Sequence, residues 1–347
     1  MRVSRSWIVI TVVVIVGAGT GTAVALPGLA RADDGVKKQA ASTCQGQPAT
    51  IEGNLNTLNG TPGNDVIVAG GNVHHVVAGE GDDLICVIAS DRKRLMVLAG
   101  PGADIVDTTA STTHVVANLG TGADTYLGGP EADEVRTDEE LTAPIPVDVV
   151  RTGGSSDFLT SESTVDADLG EGDDFYVGEF TEGQGPSRVL LGQGDDVLRL
   201  DMGIAPSQGR SSDSSRLPET SGTLRLDLAA GTLVQNGVKS VVSGQEEVIA
   251  NGRKVWVQGS RRAEQVVSGG CQVTMHGGAG RDELIQVKGY EVLCNKRWAR
   301  LYGDGGPDRL QGTAGNDVLI GGSGKDQAYG MGGRDRCVAE RTFTCER

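Results

Sequence analysis

Between residues 303 and 338 a small or apolar side chain recurs every nine positions: Leu310, Leu319, Ala328 and Cys337. Each stands two residues after an aspartate, Asp308, Asp317, Asp326 and Asp335, with no slippage between the two series. The segment divides into GDGGPDRLQ, GTAGNDVLI, GGSGKDQAY and GMGGRDRCV, which fit the nonapeptide G-G-x-G-x-D-x-U-x, where U is apolar. The last three positions predict a short strand whose middle side chain points inward, because strand side chains alternate between faces. The glycines predict a tight turn, since glycine alone enters left-handed backbone without strain. Two nonapeptides then close one coil, so turns eighteen residues apart stack. Asp308 is expected over Asp326 on one edge, and Asp317 over Asp335 on the other. A flexible glycine-rich linker is the alternative, but a linker has no reason to hold U in phase with Asp.

The same register opens the mature chain. Leu58, Ile67, Val76 and Ile85 occupy successive U positions, preceded two residues earlier by Asn56, Asp65, His74 and Asp83. Next come LAGPGADIV, LGTGADTYL, LGEGDDFYV and LGQGDDVLR, which place Asp104, Asp124, Asp174 and Asp196 in equivalent turns. Steps of about one coil, with a slightly longer opposite side, predict one good acidic edge over 51–200 and one degenerate edge. GGPEAD (128–133) and TGGSSD (152–157) lie between these motifs, and Thr113–Leu119 and Arg188–Leu191 are the expected opposing strands. Residues 201–221 are low in complexity and rich in Ser and Pro from 203 onward, an excursion loop. Leu224, Leu226 and Leu228 alternate with polar residues, a half-buried strand. Over 222–302 the repeat diverges: Glu264 stands where an Asp is expected, Asp282 follows it by eighteen, and Lys288–Leu301 reads as a second excursion. The regular array of 303–347 closes the chain.

Composition agrees with a narrow solenoid. Glycines number 53 and aromatics are only 3% of the residues, too little bulk for a globular core of this length but enough for a thin row of aliphatics per coil. At the N-terminus Arg2 and Arg5 precede an apolar run from Trp7 to Val16 and an Ala30-Arg31-Ala32 site, so 1–32 is expected to be a signal peptide and 33–50 a polar leader. An uncleaved anchor is the alternative. Cleavage after Ala32 removes three arginines and no acid, taking the formal charge from −15 to −18. Such a chain disfavours nucleic acid or an anionic membrane as partner and suits multivalent cations. Six cysteines in an exported chain read as disulfides. Fifteen pairings are open, and location favours neighbours: 44–86, 271–294 and 337–345.

The chemistry of the turns is that of hard oxygen. Carboxylates from Asp65, Asp83, Asp104, Asp124, Asp174, Asp196, Asp282, Asp308, Asp317, Asp326 and Asp335, with turn carbonyls such as those of Gly303, Gly312, Gly321 and Gly330, are the donor set that Ca2+ prefers. The four nonapeptides of 303–338 resemble the RTX, or haemolysin-type, calcium-binding repeats of secreted bacterial proteins. The opening TCQGQPATIEGN…GTPGNDVIV…GDDLIC resembles the start of actinobacterial proteins of that type. The resemblance implies an all-β fold, a right-handed parallel β-roll/β-helix with calcium in its turns, and it supports a Cys44–Cys86 bond as an N-terminal cap.

No G-x-S-x-G, H-E-x-x-H or phosphate-loop motif occurs. The acidic pairs Asp82-Asp83, Asp173-Asp174 and Asp195-Asp196 suggest catalytic carboxylates, but their recurrence at one repeat position favours ligands. The four histidines, the adjacent His74 and His75 and the isolated His114 and His276, read as ordinary surface or edge residues. The expectation is a secreted, non-enzymatic calcium-binding scaffold, an acidic rod at or near the cell surface. A polysaccharide-binding or polysaccharide-modifying β-helix is the rival from the enzyme class. It needs a groove with bases and aromatics, and Arg261, Arg262, Lys296, Arg297, Trp298 and Arg300 are the only such concentration. An adhesin would share the fold.

Overall fold

The computed structural model describes residues 42–346, except 54–55, 89–93, 138–145, 181–183, 203–221, 289–293 and 295. The signal peptide, the first half of the polar leader (33–41) and the excursion from 203 therefore lie outside the described residues. Within them every regular element is a strand, and no helix is long and apolar enough to cross a membrane.

Successive strands alternate between two long sheets, as a coiled chain with one strand per half-turn must. Sheet 1 contains sixteen described strands, from Ile51–Gly53 to Arg336–Val338, and sheet 2 fourteen, from Thr57–Asn59 to Arg341–Phe343. Pairing within each is parallel and almost always between consecutive coils. Arg309, Leu310 and Gln311 face Gln327, Ala328 and Tyr329, and Val318, Leu319 and Ile320 face Arg336, Cys337 and Val338. The eighteen-residue coil is thus the repeat unit, and the fold is a parallel β-roll/β-helix.

The core is the stack of U positions. Leu58, Ile67, Val76, Ile85, Leu284, Leu310, Leu319 and Ala328 are buried between the sheets with the central Tyr126 and Tyr176. A strand of three residues sends one side chain inward, which is why so few aromatics suffice. The N-terminal end is closed by a hairpin, Thr43–Cys44 with Gln47–Pro48, whose two-residue turn Gln45-Gly46 has positive φ at both positions. Cys44 is bonded to Cys86, Cys271 to Cys294 and Cys337 to Cys345, the neighbour pairing favoured by location.

Two expectations are corrected. The region after 222 is not wholly parallel: Thr223–Asp227, Thr232–Gln235 and Val238–Ser243 form an antiparallel meander within sheet 1. Its outer strands continue the parallel ladder, Val238–Ser243 against Arg188–Leu190 and Thr223–Asp227 against Lys254–Gln258. The alternation of Leu224 and Leu226 suits either direction, and the tight turns at Gly231 and Asn236-Gly237 decide it. Sheet 2 passes directly from Asp196–Met202 to Gln245–Asn251 at this level, so sheet 1 gains two strands, about 10 Å of extra stack. The second correction concerns 288–301. Its last residues belong to the strand Trp298–Tyr302, paired on both sides in sheet 1, and the Cys271–Cys294 bond anchors the segment before it.

A candidate cation ladder along both edges

The turns of the coil fall on two edges. Those of the first edge lead into sheet 1, those of the second into sheet 2. Along much of both edges the turn ends in an acidic residue whose backbone N–H donates to a carboxylate oxygen of the next coil. On the first edge Asp65 donates to Asp83 at 2.8 Å, Asp83 to Asp104 at 2.8 Å, Asp104 to Asp124 at 2.9 Å and Asp124 to Asp148 at 3.0 Å. On the second edge Asp133 donates to Asp157, Asp157 to Asp174, and Asp174 to Asp196, all at 2.8–2.9 Å. Asp196 then donates to Glu246, which a bulge in the strand pairing re-aims toward it. Farther on, Glu264 donates to Asp282, Asp282 to Asp308 and Asp308 to Asp326, each at 2.9 Å, and Asp326 to Glu340 at 2.8 Å. The first edge resumes where Ala299 donates to Asp317 and Asp317 to Asp335.

This corrects the expectation of a single good edge over 51–200. Asp65, Asp83, Asp104 and Asp124 lie on the first edge, whereas Asp174 and Asp196 lie on the second. The ladder changes edge where GGPEAD and TGGSSD supply Asp133 and Asp157. Sequence reasoning left these two, and Asp148, out of the site. The signal was present: 124 to 148 and 133 to 157 are both steps of 24, a lengthened coil on both edges at once. Beyond Asp148 the first edge turns neutral, with Ser187 accepting from Val165 and Ser240 from Ser187.

The acidic pairs also find their explanation. In Asp82-Asp83 the second residue is bonded by the preceding coil, while the exposed first one accepts the N–H of Ala103 in the following coil at 2.9 Å. Asp173 does the same for Asp195 at 3.0 Å, and Asn316 for Arg334. The two carboxylates therefore brace the turn in opposite directions.

One carboxylate oxygen of each rung serves the ladder; the other faces the turn. At Asp83, Asp104, Asp174, Asp196, Asp308, Asp326 and Asp335 this Oδ2 is buried and receives no hydrogen bond. In the regular array of 303–338 the first glycine of each nonapeptide makes room for it, whereas Ala78, Ala99, Leu169 and Leu191 hold that position before Asp83, Asp104, Asp174 and Asp196. A Cβ on Gly303, Gly312, Gly321 or Gly330 would lie 2.3–2.4 Å from the Oδ2 of Asp308, Asp317, Asp326 or Asp335. The same point beside Gly303 is 2.5 Å from the Gly321 carbonyl of the next coil, and the point beside Gly330 is 2.7 Å from the Thr344 carbonyl. Carboxylate and carbonyl oxygens thus converge with no hydrogen between them. Asp65 and Asp317 differ, because Thr61 and Thr313 donate to their second oxygens at 2.7 and 2.8 Å.

Electrostatics makes this arrangement costly by itself. Burial pushes Asp104 up to about 6, and Asp174 and Asp282 up to about 7. Asp133 and Asp157 also rise to about 7 by burial, partly offset by the neighbouring Tyr126 and Thr152 hydroxyls. Asp83, Asp196, Asp308 and Asp335 rise for the same reason, reinforced by nearby acids, Glu346 in the case of Asp335. Burial would raise Asp65 as well, but hydrogen bonds from Thr61 and Thr50 lower it. A buried carboxylate without a donor needs a proton or a cation.

The residues present fit a hard divalent cation. No group of three His, Cys, Asp or Glu side chains converges among the described residues, so a cation here must draw most of its ligands from backbone carbonyls. Ca2+ accepts such mixed oxygen shells of six to eight ligands. It would supply the charge that the stacked carboxylates need. One guanidinium already plays a comparable part: Arg297 donates from the first edge to the carbonyls of Gly269, Gly270 and Val287 at 3.0–3.4 Å.

A search of curated proteins finds no match to the chain. A family model, the RTX calcium-binding nonapeptide repeat, matches in four copies at residues 53–85 and 302–337. The matches leave 86–301 uncovered, yet the same hydrogen-bonded carboxylates run through most of that stretch. Both matched segments carry the turn geometry described above, and these two segments are RTX repeats, nonapeptides that bind Ca2+.

Proposed function

We propose that the chain is exported and folds outside the cell as a calcium-dependent acidic scaffold. The observation that carries this reading is the row of buried Oδ2 atoms without a donor, those of Asp308, Asp326 and Asp335 packed against the first glycine of their turns. In this reading the ladder aspartates, from Asp65 to Asp335 and including Asp133 and Asp157, supply anionic ligands. Carbonyls of Gly303, Gly312, Gly321 and Gly330 and of their counterparts supply the neutral ones. Extracellular calcium modules work at dissociation constants of about 0.1–1 mM, which keeps such a chain unsaturated until it leaves the cell. Three disulfides among the described residues suit the same oxidising compartment. A polysaccharide partner has one observation in its favour: Trp256 and Trp298 lie on the outward face of sheet 1 beside basic side chains.

The test is a calcium titration of protein recovered from the medium of expressing cells, followed by far-UV circular dichroism and intact mass. The expected result is a mass consistent with cleavage after Ala32, and β signal that rises with calcium to saturation near millimolar. Full β structure in excess chelator, unchanged by calcium, would overturn the scaffold reading.

A further inference from the structure

The outward face of sheet 1 from the meander onward has a composition foreign to the rest of the chain. Parallel register aligns Lys254, Gln272 and Trp298 in one row across the strands. The adjacent row runs through Trp256, Thr274 and Arg300. The whole sequence holds only three tryptophans, and its acids outnumber Lys and Arg by 46 to 31. Two of those tryptophans and a set of cations nevertheless share these two rows, which contain no carboxylate. At the Trp298 and Arg300 end of these rows, toward the next coil, a cavity of about 450 Å3 is walled by Lys296, Trp298, Arg300 and Asn316.

The cations of this face are not consumed by the fold. Among the described residues neither Lys254, Lys296 nor Arg300 is paired with a carboxylate, whereas Arg262 and Arg309, for instance, are paired with Glu246 and Glu283. Arg225 lies over the Trp256 ring at 3.8 Å and Arg300 over Trp298 at 4.8 Å. Stacking on indole holds a guanidinium in place while its N–H groups stay available. Core packing gives no reason for these side chains to be here, because the core is served by the alternate residues Val255, Val257, Val273 and Ala299.

We infer that this face binds an acidic polysaccharide, a polymer of uronic-acid sugars. Each element of the face has a counterpart in such a ligand. Indole rings offer flat apolar surface to the C–H face of a pyranose and keep a polar edge. Guanidinium and ammonium groups pair with the sugar carboxylate. The amides of Gln272 and Asn316 and the hydroxyl of Thr274 match sugar hydroxyls. Trp256 and Trp298 stand two strands apart and two residues out of step, about 10 Å across the sheet and 7 Å along it, so they reach different sugars of one chain. A nucleic acid fits worse, since its dense phosphates meet a molecule of net charge −15. The site rests on the scaffold reading only in that the coils must be folded to present it.

The experiment is isothermal titration of the calcium-loaded mature chain with a galacturonic acid oligomer. The same oligomer with its carboxyls reduced to alcohols serves as the neutral probe. Trp298→Ala and Arg300→Gln are the variants, both outward-facing, and unchanged circular dichroism and calcium response confirm that they fold. The intact chain should bind the acidic oligomer, with each variant and the neutral probe weaker by about tenfold or more, the scale of one charge-assisted contact. Equal binding by variants and parent would mean bridging by calcium or diffuse charge, and would overturn the site. So would absence of binding by a chain that responds normally to calcium. A chain that binds the oligomer but folds without calcium keeps the site and sinks the scaffold reading instead.

Discussion

At Asp308 the two oxygens of one carboxylate have separate tasks. Oδ1 accepts the Asp282 amide at 2.9 Å, while the buried Oδ2 faces Gly303. Substitutions can separate them. Asp308→Asn keeps an acceptor for the amide and removes the charge. In chelator it should be neutral or stabilising, because it relieves a buried anion. In calcium it should weaken binding at that turn by about tenfold or more, on the scale of one lost charged contact. Differential scanning calorimetry in both conditions checks the change of sign, and equal destabilisation in both would contradict the assignment. Asp308→Ala with Asp326→Ala should be non-additive by about 0.5–3 kcal/mol, since the pair shares a rung. Asp317 and Asp326 lie on opposite edges and should add, as calcium-saturated denaturation curves of single and double variants would show.

The raised carboxylates also fix a pH dependence for the calcium-free chain. Asp104 titrates at about 6, and Asp133, Asp157, Asp174 and Asp282 at about 7, all above the usual carboxylate range because they are buried. A raised acid binds more protons folded than unfolded. Its contribution is therefore complete below about pH 4 and is lost as pH rises through 6 to 7. In chelator the thermal midpoint should fall between pH 4.5 and 7.5, and calcium should flatten that slope. A midpoint that rises over this window without calcium would contradict the burial of these groups.

At the scale of the element, what was legible depended on periodicity. The stacking of Asp308 on Asp326 and of Leu310 on Ala328 could be read because each turn and strand recur at eighteen residues. The three disulfides were favoured correctly because each joins neighbours along the coil. The change of edge was missed because one coil lengthens to 24 residues, after which LGEGDDFYV looks like LGTGADTYL but sits half a turn away. Local motif cannot report edge; only the count of half-coils can. The meander was missed because Leu224 and Leu226 face inward whether the next strand returns parallel or antiparallel. Trp298–Tyr302 was missed because its rung position, two residues before Leu301, holds Ala299 in place of an aspartate, and Arg297 lies just before it. Arg297→Ala should leave the Gly269, Gly270 and Val287 carbonyls without this donor, a loss of about 1–3 kcal/mol. Calcium titration of the thermal midpoint tests whether the ion can compensate. A midpoint unchanged at every calcium level would show that the guanidinium has no structural part.

At the scale of the molecule, two stacked edges concentrate acid inside a chain that already carries a net charge of −15. Hydrophobic contact in such a fold is a single file of U residues, so its stability depends on what neutralises the edges. The family model recognises four repeats at the two ends, whereas the carboxylate ladder joins coil to coil through 104, 124, 133, 157, 174 and 196 as well. Hydrogen exchange with mass spectrometry, on the intact mature chain with calcium and with chelator, tests this account most directly. The account predicts calcium-dependent protection not only in 53–85 and 302–337 but across the turns 99–104, 119–124, 128–133, 152–157, 169–174 and 191–196. Protection that is the same in chelator, or that responds to calcium only within the four recognised repeats, would contradict it.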